Sequence, residues 1–99
     1  MAKKKIIWSL KARKQQFEIL EYYSERNGND RYSIKLYHKF QNNLNLISKL
    51  HFIGKPTDKE NIRFLIVSDY QIFYEIKKHS IEVLLLWDCR QDPDKLPEI

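Results

Sequence analysis

Two arginines, Arg63 and Arg90, are the residues of this chain best suited to chemistry on an anion. Arg63 stands in an apolar run beside Ile62, Phe64, Leu65 and Ile66. A guanidinium there must reach water, a carboxylate or a phosphate, because burying it alone is costly. Glu75 or Asp88 could supply the carboxylate as a cross-strand ion pair. Arg90 follows Asp88 at i+2, so in extended backbone the two side chains point the same way and can pair. Alternatively, Arg90 stabilises a turn before Pro93. If both arginines point into one cleft, they form a fixed anion clamp. Such a clamp would hold RNA phosphates and stabilise charge on a cleaving phosphodiester. On that reading Arg63 and Arg90 are the catalytic candidates. Lys55 and Lys59, on a loop before the strands, either add cations to the cleft or stay solvated. Tyr70, Tyr74 and Trp87 can stack on bases or fill a core. Tyr70 begins a strand after a turn and is expected to be the accessible one. It joins Lys55 and Lys59 as a nucleic-acid-binding candidate.

Other chemistries have little support. His38, His51 and His79 fall in different elements, with no second cysteine and no ligand pair at helical spacing, so no metal is expected. Gly28 and Gly54 are isolated, so no glycine-rich phosphate loop is present and no cofactor is expected. Cys89 has no base nearby in sequence to activate it and reads as a half-buried structural thiol.

The 99 residues suit one domain with one modest core. Hydrophobic residues make up 42% and aromatics 13%, a composition that folds. The net charge of +5 favours an acidic partner such as nucleic acid. Lys3, Lys4, Lys5, Lys11, Arg13 and Lys14 all precede the first acid, Glu18. This basic block either meets nucleic acid or is simply solvated. A lone cysteine fits a reducing cytosol. The apolar run Ile6, Ile7, Trp8 is too short for a signal-peptide core, and no stretch approaches the roughly 18 apolar residues of a membrane span. A cytoplasmic protein with no membrane partner is expected.

The elements that must position these residues follow from periodicity. Residues 5–9 predict a short strand, with Ser9 capping a helix over 10–26. Ala12, Gln16, Ile19 or Leu20, and Tyr23 share one face, and Phe17 is expected to broaden it. Asn27, Gly28 and Asn29 stop that helix. Asp30 is expected to cap a second helix, whose stripe is Leu36, Phe40, Leu44, Ile47 and Leu50. The short connection predicts an antiparallel helical hairpin. Residues 55–61 read as a polar loop. Residues 62–67, 70–77 and 81–88 predict three strands joined by turns at Ser68–Asp69 and His79–Ser80. The last is apolar on both faces near Leu84, Leu85 and Leu86, so a central position is expected. The fold class is α+β: an N-terminal strand, a helical hairpin, then a three-stranded antiparallel meander, with the helices on one sheet face. The N-terminal strand should pair with one of the later strands.

In this order the residues resemble the RelE/ParE superfamily of bacterial type II toxins over nearly the whole chain. The resemblance runs through Ala12; Tyr22, Tyr23; Phe52, Ile53, Gly54, Lys55; Arg63; Tyr70; Ile72, Phe73, Tyr74; and the closing Asp88, Cys89, Arg90, Gln91, Asp92, Pro93. It implies a toxin neutralised by a cognate antitoxin. RelE-like members are metal-independent ribonucleases that cut mRNA in the ribosome. For that branch Arg63 and Arg90 would stabilise the phosphate while the ribose 2′-OH attacks. ParE-like members instead inhibit DNA gyrase. Partners are therefore an antitoxin together with ribosome and mRNA, or with DNA gyrase. The chain departs from the nuclease pattern at its end. Leu96, Pro97, Glu98 and Ile99 include neither the Tyr nor the His that often serves as acid or base. Glu75, Asp88 or a lysine would have to take that role. The expected activity is ribosome-dependent mRNA cleavage, with gyrase inhibition or an inactive antitoxin-binding module as alternatives.

Overall fold

A computed structural model describes residues 2–99 of the protein. Strand β1 (Lys5–Trp8) leads into helix α1 (Leu10–Asn27), and helix α2 (Arg31–Lys49) follows. Four strands come next: β2 (Lys55–Pro56), β3 (Ile62–Val67), β4 (Tyr70–Ile76) and β5 (Ser80–Asp88), with a 3-10 turn at Pro93–Lys95. The five strands form one sheet in the order β1-β5-β4-β3-β2. β3, β4 and β5 make the expected antiparallel meander, and β1 pairs parallel to β5. The last strand is therefore interior, flanked by β1 and β4, while β4 is the middle one. The expected polar loop at 55–61 is partly a strand: Lys55 opposes Phe64 and Pro56 opposes Arg63.

Local signals explain the helix boundaries. The Ser9 hydroxyl accepts a hydrogen bond from the Ala12 N–H at 3.1 Å, which satisfies one of the orphan donors of α1. Gly28 ends α1 at φ 70°, a left-handed conformation that costs glycine nothing. Asp30 makes no side-chain cap; the Asn29 carboxamide oxygen accepts from the Arg31 N–H instead, at 3.1 Å. The hairpin is stitched by Ser33, whose hydroxyl donates to the Leu20 carbonyl at 2.6 Å and accepts from Ser24 at 2.9 Å.

The core lies between the hairpin and one sheet face. Leu36, Phe40, Leu44 and Ile47 of α2 are buried against Ile72, Tyr74, Ile81 and Val83. Two expected members of the helical stripes face solvent: Phe17 and Leu50. Phe17 is one step, about 100°, round α1 from buried Gln16, which carries it out of the stripe. Leu50 lies past the end of α2.

The apolar run in β5 has a specific cause. Phe73 opposes Leu85 but Tyr74 opposes Val83, so Leu84 has no partner and a bulge resets the alternation. Ile81, Val83 and Leu86 consequently all join the helix-side core. Leu85 and Phe73 are buried on the other face. There Phe73 packs on Phe64 with centroids 5.4 Å apart, and residues 96–99 border the same patch.

Candidate functional site

The two arginines serve different places. Arg63 opposes Tyr74, whereas Arg90 lies just beyond the Tyr70–Asp88 pair. Tyr70 and Tyr74 are four residues apart on β4, about 13 Å at strand rise. No shared clamp forms. Arg63 instead ties down the segment after α2. Its Nη1 donates to the carbonyls of Gly54 at 2.8 Å and Phe52 at 3.2 Å, and its guanidinium lies over the Phe52 ring at 5.1 Å. The proposed pairings with Glu75 or Asp88 do not form, because the backbone carbonyls meet the charge first. Beside it the Tyr74 hydroxyl donates to the His51 carbonyl at 2.8 Å and accepts from the Gly54 N–H at 3.0 Å.

Arg90 is the centre of a polar cluster at the other end of the strands. It grips Asp88 bidentately, with Nε to Oδ1 at 2.9 Å and Nη2 to Oδ2 at 2.8 Å. Its own N–H also donates to Asp88 Oδ1 at 2.9 Å, so the carboxylate fixes the turn as well as the charge. Both functions weighed for Arg90, pairing and turn formation, thus hold together. Nη2 additionally donates to the Tyr23 hydroxyl at 3.0 Å, and Nη1 faces Asp69 at 3.8 Å. Tyr70 completes the chain by donating to Tyr23 at 3.2 Å.

The tyrosines form a small aromatic wall. Tyr23 meets Tyr32 with centroids 4.7 Å apart and Tyr22 edge-on at 5.1 Å. Tyr70 is not the accessible aromatic that was expected. It is 4% exposed, because it shares the helix-facing side of β4 with Ile72 and Tyr74, and Phe40 of α2 covers it at 5.9 Å. An open groove of about 490 Å³ adjoins the cluster, lined in part by Gln15, Tyr22, Trp87 and Arg90. Gln15 holds its inner wall by accepting from the Leu86 N–H at 2.9 Å.

The contacts shift the titration of several of these groups. Hydrogen bonds from Arg90 hold the Asp88 carboxyl below the usual carboxylate range. Asp88 and Tyr23 in turn push Arg90 further above its ordinary value. Burial first, then the Tyr23 hydrogen bond, raises Tyr70 well above a normal phenol. The Cys89 thiol is exposed, not half-buried as expected, and desolvation followed by Asp88 and Asp69 raises it. It is a poor nucleophile by that measure.

The lysine candidates stand elsewhere. Lys55 sits on the short edge strand β2, and Lys59 lines a separate groove with Phe64, Phe73 and residues 96–99. Among the described residues no group of His, Cys, Asp or Glu could hold a metal ion. Sequence reasoning missed the roles of Tyr23 and Asp69. Tyr23 was legible only as a core position of α1, since its polar contacts reach 47 and 67 residues along the chain.

The model of the family described as "ParE toxin of type II toxin-antitoxin system, parDE" matches residues 6–93. The chain belongs to this toxin family, within the RelE/ParE superfamily. Among solved structures, a chain of the chromosomal ParDE TA system from P. aeruginosa is similar at a TM-score of 0.73 and 16% identity. The alignment covers 86% of this chain and 95% of that one, so the strand–hairpin–meander fold is shared. No curated protein matches the chain. No described helix is long and apolar enough to cross a membrane.

Proposed function

We propose that this chain is the growth-arresting toxin of a toxin–antitoxin pair, that it acts by binding DNA gyrase and not by cutting mRNA, and that a cognate antitoxin holds it inactive. The observation that carries the reading is the state of Arg90. A metal-independent ribonuclease needs an acid and a base with affinities near the working pH. Around Arg90 the Asp88 carboxyl is held below the usual carboxylate range and burial makes the Tyr70 phenol harder to ionise than usual, so neither exchanges protons readily near neutrality. Arg63, the second half of the expected clamp, is engaged by backbone carbonyls at a distance.

What the cluster offers is a rigid anchor for a protein partner. Arginine and aromatic side chains dominate the binding energy of protein interfaces. Arg90 is oriented by three hydrogen bonds to two partners, Asp88 and Tyr23, beside exposed Tyr22 and half-buried Trp87. The matched family is that of ParE toxins, and gyrase inhibition is what the ParE-like branch implies.

Inducing the chain alone in a bacterium should arrest growth, and co-expressing the antitoxin should restore it. Primer extension on the arrested cells should show intact ribosome-bound mRNA. New mRNA cuts that disappear with Arg90→Ala would establish the ribonuclease in its place. Unchanged growth with folded protein present would leave an antitoxin-binding module.

A further inference from the structure

A second charged surface lies away from Arg90. Lys3, Lys4, Lys5 and Arg13 line a groove of about 360 Å³ between β1 and α2, together with Gln41 and Asn45. None of its lining residues is acidic. Among the described residues none of the four cations takes part in an ion pair, whereas Lys14, Lys77 and Arg90 all do. Four basic residues therefore meet along one groove with no acid in its lining. The C-terminal end of α2 faces the same place, but a helix dipole supplies only about half a negative charge. The basic segment is held, not trailing: the Lys4 N–H donates to the Ser48 carbonyl at 2.9 Å and its Nζ to the Lys77 carbonyl at 2.6 Å.

We propose that this groove binds the phosphate backbone of double-stranded DNA without reading its sequence. Lysine, arginine and side-chain amides are the groups that contact phosphates. A protein partner would need an apolar centre, and this groove is mostly polar. Single-stranded nucleic acid would need an open aromatic platform for its bases. The one aromatic here, Trp8, has the Arg13 guanidinium over its ring at 4.9 Å. Backbone contact with a duplex is what remains. The inference stands on the groove's charge alone and does not depend on which target the toxin inhibits.

Fluorescence anisotropy of a short labelled duplex with the purified full chain, over a salt series, tests it. The combined change Lys3→Gln, Lys4→Gln and Lys5→Gln should weaken binding by more than about tenfold at low salt and flatten the logarithmic salt slope by about 2–3. Removing the same charge elsewhere, by Arg26→Gln, Lys35→Gln and Lys95→Gln, should leave the slope nearly unchanged. If the groove variant melts early, Arg13→Gln replaces it, with a slope loss of about 1. Equal losses from both triple variants would reduce the effect to net charge and overturn the site. Tighter binding of single-stranded RNA or of polyglutamate than of the duplex would overturn it in favour of those ligands, and no duplex binding would end it outright.

Discussion

Asp88 shows how one carboxylate can set both a turn and the orientation of a neighbouring cation. It accepts from the Arg90 backbone and from two guanidinium nitrogens. Because its affinity for protons is lowered in the folded state, the pair contributes stability above the unfolded carboxylate value near 3.9. That contribution is lost as pH falls through the folded value. Asp88→Asn should therefore flatten the loss of thermal stability below about pH 4 and cost on the order of 1 kcal/mol at neutral pH. Melting curves across pH would show it. Arg63 makes a contrasting prediction. Its contacts are to backbone carbonyls, so Arg63→Ala should lower the melting temperature while leaving growth arrest in place at permissive temperature. Arg90→Ala should weaken arrest, losing the pair's stabilisation of about 1 kcal/mol but keeping the fold. These roles were only half legible in the sequence. The i+2 spacing of Asp88 and Arg90 announced their pairing, because such a contact is local. The partners of Arg63 and the hydroxyl of Tyr23 come from distant segments, and nothing in residue type distinguishes a carbonyl acceptor from a phosphate.

At the scale of elements, the segment between α2 and β3 is the least forgiving. Gly54 is buried where a Cβ would come within 2.6 Å of the Tyr74 hydroxyl and 2.7 Å of the Phe64 carbonyl. The Phe64 carbonyl is backbone and cannot yield cheaply. Gly54→Ala should destabilise the protein by about 1–3 kcal/mol, the usual cost of forcing extra atoms into a packed site, measured by urea denaturation. The motif Phe52, Ile53, Gly54, Lys55 is thus explained by close approach between backbone and Tyr74, with Arg63 closing it from the other side. Periodicity revealed the stripe Leu36, Phe40, Leu44 and Ile47 directly, because that face repeats. It did not reveal β2, two residues long and defined only by what it pairs with, nor the bulge at Leu84. It also misjudged Tyr70, since a strand's first residue looks like a turn residue until the helix that covers it is in place.

Across the whole molecule, charge is divided between two ends of the fold. The Arg90 cluster is balanced by Asp88 and Asp69, whereas the groove between β1 and α2 is unbalanced. The balanced end is suited to a shaped, specific protein contact and the unbalanced one to a polyanion. The central claim concerns the balanced end, and a supercoiling assay with purified DNA gyrase tests it most directly. The account predicts that the wild-type chain blocks supercoiling and that Arg90→Ala, folded by circular dichroism, restores much of it. Full supercoiling in the presence of excess folded wild-type chain would contradict it.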